Sequence, residues 1–132
     1  MILVLKASDP VTKMWLFESV NAAEPVAELI WASDRLLAGQ LLGRISGLVA
    51  QHAKGLDALT GILLYSGPGS FTSLRIGHAT ANALADSLFI PVESDTGENW
   101  IRTGLIKLAS AQAGHPVLPL YGAEANISTP KT

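Results

Sequence analysis

The chain has 132 residues, 48% of them hydrophobic and only 15% charged, with a formal net charge of −2. This length suits one domain, or one domain plus a stub of another, and the composition excludes a disordered chain, which needs low hydrophobicity and high charge. Nine basic against eleven acidic side chains argue against a sequence-independent nucleic-acid binder, and the lack of cysteine excludes disulfides and thiolate metal sites and fits a reducing, cytoplasmic compartment.

Ile2 to Leu5 is a short apolar run with no basic region ahead of it, so it reads as a central strand rather than a secretory signal. Lys13 to Glu18 and Val26 to Trp31 follow as strands after short turns, which predicts an antiparallel meander. Ser33-Asp34 offers a helix cap, and the helix runs to about Lys54, with Gly55 as a left-handed stop. Leu37, Leu41, Ile45, Leu48 and His52 give this helix its periodicity. Leu59 to Tyr65 is a fourth strand, apolar throughout. A second helix begins near Ser70 or Thr72 and runs to about Ser87, and Phe89 to Glu93 is a fifth strand. Asp95-Thr96-Gly97-Glu98 has the form of a capping box for a third helix ending near Gly114, and Val117 to Tyr121 suits a final strand. The fold class is therefore α/β, a five-stranded mixed sheet of three antiparallel and then parallel strands with helices packed on it. Residues 1–114 form the lobe and 115–132 a short strand and tail. The longest uncharged stretch, Ala58 to Leu74, is broken by Ser66-Gly67-Pro68-Gly69-Ser70, so no membrane span is expected. The low charge leaves two readings open: a surface hidden against a partner, or buried strands in a compact core.

Ser66 to Gly77 is the most informative segment. Gly67 and Gly69 permit unusual backbone angles between strand and helix, and the amides that open the helix form an anion pocket. No Gly-Lys-Ser/Thr follows, and Thr72 stands where a dinucleotide fingerprint needs its third glycine. A tight turn without ligand is the plain alternative. The run Gly-Pro-Gly-Ser-Phe-Thr, followed by Leu74-Arg75-Ile76-Gly77, resembles the TsaB (YeaZ) family. The likeness covers Met1 to about Gln112, the family's first lobe. It implies a ribonuclease H-like, actin-like ATPase fold and a role in making threonylcarbamoyl-adenosine on tRNA, together with the catalytic relative TsaD and the ATPase TsaE. Two departures stand out. Lys6, Ala7 and Ser8 occupy the place of the family's Asp-Thr-Ser, and lysine cannot ligate magnesium. The chain also stops about where the family's second lobe begins. The resemblance thus implies a non-catalytic partner of TsaD, without cofactor or metal and without direct tRNA binding. An ATP-binding or hydrolase relic of the actin-like fold, or a self-associating remnant, are the alternatives. His52, His78 and His115 are isolated in sequence, no His-Glu-x-x-His occurs, and Ser70 and Ser73 lack a motif naming a base.

Two further patterns bear on binding. The first helix carries Gly39, Gly43 and Gly47 near one face, and the second carries a ridge of Ser73, Gly77, Ala81 and Ala85. Each interior glycine costs roughly 1 kcal/mol relative to alanine, which close approach of another helix would offset. The resemblance implies that these first-lobe helices meet TsaD and form a homodimer; packing within one molecule is the alternative. Lys6 ends the first strand beside the expected position of Gly67, Gly69 and Ser70, so these four are the candidate anion site, with Asp9 or Asp95 as alternative partners for the lysine. Arg75 reads as a surface or partner contact, and Trp15, Trp31 and Trp100 as packing.

Overall fold

The computed structural model describes residues 1–120. Five strands lie in the order β3-β2-β1-β4-β5: β1 Ile2–Lys6, β2 Val11–Phe17, β3 Ala27–Ala32, β4 Gly61–Tyr65 and β5 Val92–Asp95. β1 pairs antiparallel with β2 and β2 with β3, whereas β1–β4 and β4–β5 are parallel. The two parallel pairs are reached through helical crossovers, as parallel neighbours require. These helices are α1 Leu37–His52 and α2 Phe71–Leu88; α3, Trp100–Ala109, follows β5.

β1 is central because its side chains are apolar on both faces. Leu3, Val4 and Leu5 are fully buried, and burying such a side chain contributes about 1.5–3 kcal/mol. Alternation along the strand divides the core in two. Leu3, Leu5 and Ala7 pack with Leu37, Leu41, Ile45 and Leu48 of α1 and Ala81, Leu84 and Ala85 of α2. Ile2 and Val4 pack on the opposite face with Phe17, Leu63, Trp100, Leu105 and Leu108. Two helices thus cover one face of the sheet, and α3 covers part of the other, over β4 and β5.

Several element ends differ from the sequence expectation. A 3-10 turn over Asp34–Leu36 precedes α1, whose end at Ala53 is extended. Gly55 is extended too, with φ 175°, so it is no left-handed stop, and His52 is exposed rather than part of the buried stripe. The left-handed stop belongs to Phe89 after α2, at φ 54°. β5 sits later than expected because Phe89 to Pro91 form the turn into it. The Asp95–Glu98 segment does not cap α3. Asp95 still belongs to β5, Gly97 takes φ +93°, and Asn99 precedes the helix without a side-chain cap bond. α3 ends at Ala109, well before Gly114. Residues 117–120 join no strand ladder, and Tyr121 lies outside the described residues. This segment is nevertheless tied to the lobe: the Asn82 side-chain amide donates to Val117 O and its oxygen accepts from Val117 N, at 2.8 and 3.0 Å. No helix among the described residues is long and apolar enough to cross a membrane.

α3 lies close on β4 because Gly104 leaves room for Leu63, whose Cδ1 and Cδ2 fill the place a Cβ would take. Leu63 is fully buried and has little room to yield. Gly104→Ala should therefore lower stability by about 1–3 kcal/mol in urea unfolding; an unchanged midpoint would contradict this packing.

Candidate functional site

The Gly-rich turn lies at the carboxyl end of β4, where parallel sheets bind ligands. Its neighbours hold its backbone, although Pro68, Gly69 and Ser70 are exposed. Ser66 N donates to Asp95 O at 2.8 Å, and Ser66 O accepts from Leu120 N at 2.6 Å. Gly67 has φ +117°, and a side chain there would run into the carbonyl of Leu120 and Leu74 Cδ1; its own carbonyl accepts from Thr96 Oγ1. A Cβ on Gly69 would lie 2.5 Å from Ser8 Cβ and 2.8 Å from Ser8 O. Ser70 N donates to that same Ser8 carbonyl at 2.6 Å, while Ser70 Oγ accepts from Ser73 N at 3.3 Å and caps α2. The glycines are thus explained by close packing of backbone on backbone.

Lys6 does not join this turn. It shares the parity of Ile2 and Val4, so its side chain stands on the α3 face, whereas α2 and its amino end lie on the other. There its Nζ sits 4.7 Å from the centre of the Tyr65 ring, a cation–π contact. Tyr65 in turn meets Trp100 edge-on at 5.4 Å, and Trp100 meets Trp15 at 6.1 Å. The expected partners Asp9 and Asp95 do not pair with Lys6; the ion pair among the described residues is Lys107–Glu93, at 3.9 Å. Asp95 instead accepts from Thr96 N and Thr103 Oγ1 at 2.8 and 2.6 Å. Partial desolvation pushes its carboxyl up, but these two hydrogen bonds and Lys107 outweigh that and hold it below the usual range.

The helix faces correct the second expectation in part. Gly39, Gly43 and Gly47 are exposed, and a Cβ built on any of them meets nothing within 4 Å. Nothing among the described residues packs on these positions. The ridge on α2 behaves in the opposite way. Gly77, Ala81 and Ala85 are buried against the chain's own sheet, where a Cβ on Gly77 would lie 3.0 Å from Ala7 Cβ, and Ser73 is half-buried. The outward residues of α2 are two positions out of phase with it: Thr72, Arg75, Ile76 and Ala79 line one hollow, and Ala79, Thr80, Ala83 and Ser87 line a groove of about 510 Å³ with Ala38 and Leu42 of α1. Leu42 is 52% exposed. Their spacing of three and four was readable, once Leu74, Ala81 and Leu84 are taken as the buried phase. Arg75 is exposed, its guanidinium over the Phe71 ring.

His78 is the one buried histidine among the described residues. Its Nδ1–H donates to Leu74 O at 2.8 Å, and Nε2 is buried without a partner among the described residues. Desolvation lowers its pKa despite the opposing backbone bond. His52 and His115 are exposed, and no cluster of three or more metal-ligating side chains is found among the described residues.

A mixed sheet in this strand order, with helices on both faces and a Gly-rich turn leading from β4 into α2, defines a lobe of the actin-like, ribonuclease H-like class. Within that class the chain is similar to two solved structures and, over part of its length, to one family model. It is similar to YeaZ from Pseudomonas aeruginosa, with a TM-score of 0.63 and 27% identity over 72% of this chain and 43% of that one. A second solved structure, described as an uncharacterized protein with similarity to peptidase YEAZ from Pseudomonas aeruginosa, has the same score and identity and is covered over 42%. The chain therefore spans less than half the length of these solved relatives. The family described as TsaD, tRNA N6-adenosine threonylcarbamoyltransferase, matches residues 33–94, from the approach to α1 into β5. Comparison with curated proteins gives no match.

Two outcomes follow for the turn and for His78. Gly69→Ala should cost about 1–3 kcal/mol in chemical unfolding, because the obstructing atoms belong to the Ser8 backbone and its Cβ. His78 favours the neutral imidazole in the fold, so its contribution is intact above the ordinary value of 6.5 and is lost as pH falls through the lower folded value. In calorimetry, the Tm of His78→Leu should gain on that of the wild type as pH drops below 6.5; parallel curves would contradict this.

Proposed function

We propose that the chain is a non-catalytic, TsaB-like partner of a TsaD-like protein in forming threonylcarbamoyl-adenosine on tRNA, and that it docks through the outward faces of α1 and α2. The observation that carries this reading is the exposure of Gly39, Gly43 and Gly47. Each costs roughly 1 kcal/mol relative to alanine in a helix interior, and no contact within the described residues offsets it. A second helix lying close against α1 would, and the adjacent groove offers the apolar surface of Leu42, Ala79 and Ala83 to the same visitor. The similarity to YeaZ, and a TsaD-family match over the segment that holds both helices, support the assignment.

The carboxyl edge of the sheet supports a binding role over chemistry. Lys6 is turned away from the Gly-rich turn, and the polar groups of Ser66, Gly67 and Ser70 described above are engaged within the lobe. In this reading residues 1–114 are the actin-like first lobe. A TsaE-like ATPase joins the assembly in the cytoplasm, and the TsaD-like partner handles the tRNA, in keeping with the net charge of −2. Two copies of the chain use the same helical face when the partner is absent.

Gly43→Leu should leave Tm and far-UV circular dichroism near those of the wild type, since the site is open. It should weaken co-purification with TsaD from the same organism by about tenfold or more, by loss of close packing. Undiminished co-purification would overturn the proposed face.

A further inference from the structure

His78 Nε2 is the one buried side-chain polar atom without a partner among the described residues. The residue is only 3% exposed. Its Nδ1 bonds the carbonyl of Leu74, a group that can only accept, so the neutral ring carries its proton there and leaves Nε2 as an acceptor with nothing to accept. Leu74, His78 and Asn82 follow at intervals of four and form one row along α2. Both ends of that row meet the segment after α3. Asn82 exchanges two hydrogen bonds with Val117. At the other end, Leu120 O and Leu74 Cδ1 both border the place a Cβ on Gly67 would take, and Leu120 N donates to Ser66 O. From Asn82 back to Leu74 the helix rises about 12 Å, and the three steps from Val117 to Leu120 span about 10 Å when extended. Val117–Leu120 therefore runs along this row, with His78 midway beneath it.

Among the described residues no charged side chain faces this ring. Towards α2 the sheet presents Leu3, Leu5, Ile62, Leu64 and Val92. Lys6, Tyr65, Glu93 and Asp95 stand on its other face, by the alternation of each strand. α1 flanks α2 along Thr80 and Ala83, and its Arg44 lies over the Trp31 ring. On α2 itself Arg75 and Asp86 are exposed, and the one titratable group of residues 114–120 is His115, also exposed. Burial and the Leu74 bond, rather than a neighbouring charge, act on the ionisation of His78. A protonated ring would bring a second N–H donor and a positive charge beneath the segment, with neither acceptor nor counter-charge to meet them. We infer that Val117–Leu120 is a latch on α2 that opens when His78 takes up a second proton. Opening brings water to Nε2 and gives up the bonds to Asn82 and Ser66, a local loss that leaves the five strands paired. The inference holds whatever partner the outward face of α2 meets.

The test is hydrogen exchange of the full chain, read by NMR as protection relative to intrinsic rates. The amides of Val117 and Leu120 report the latch, and those of Leu3 and Leu5 report global unfolding. The latch amides should be less protected than Leu3 and Leu5 at every pH. Their protection should fall about tenfold from one pH unit above the ordinary histidine value of 6.5 to one unit below it, because the released ring protonates there. His78→Asn, whose amide nitrogen can take the place of Nδ1 on Leu74 O, and His78→Leu should each abolish that pH dependence. Asn82→Ala unties one end of the latch, and by linkage it should raise the protonation midpoint of His78, followed by its ring shifts, towards 6.5. A His78 midpoint unmoved in Asn82→Ala would overturn the inference. So would equal protection of the latch and β1 amides, or a pH dependence in the His78 variants like that of the wild type.

Discussion

The parity of β1 governs where everything else stands. Its residues are buried on both faces, so every second side chain is committed to one layer and its neighbours to the other. A one-residue slip against β2 or β4 would exchange the two layers and put Lys6 into the α1/α2 core. The pairing of Val4 with both Trp15 and Leu63 fixes the register on either side at once. From that alternation follow the position of Lys6 over Tyr65 and the inward direction of Ala7 toward Gly77.

The glycines divide by what they touch. Gly69 and Gly104 are small because something else occupies their side-chain space, the Ser8 backbone in one case and Leu63 in the other. Gly77 is a milder case, where an added Cβ would lie 3.0 Å from Ala7 Cβ. A Cβ on Gly39, Gly43 or Gly47 would meet nothing within 4 Å among the described residues. The first group makes close packing possible inside the lobe. The second weakens a helix with no return from the described residues, and this is what directs attention to the outside of α1.

Much of the fold was legible in the sequence because its signals are local. Continuous apolar runs identified β1 and β4, the spacing of Leu37, Leu41, Ile45 and Leu48 identified α1, and Ser70 was readable as a cap. Less legible were features decided by distant contacts. The sequence places Lys6 next to the Gly-rich turn along the sheet edge, but whether it stands above or below the sheet depends on which helices cover which face. The small residues of α2 form two stripes, and choosing the outward one requires the buried phase set by Leu74 and Leu84. Asp95 has the right spacing for a capping box, yet backbone pairing with Tyr65 keeps it in β5. The contact of Asn82 with Val117 joins residues 35 positions apart, beyond the reach of local periodicity.

Asn82 has a mechanical consequence. By gripping both polar groups of the Val117 backbone, it fastens the segment after α3 to the middle of α2, and Leu120 fastens it again to the end of β4. Tension applied at residue 120 would therefore travel into β4 and α2 before it reached α3. The most deeply embedded parallel strands, rather than the last helix in the chain, would carry the load.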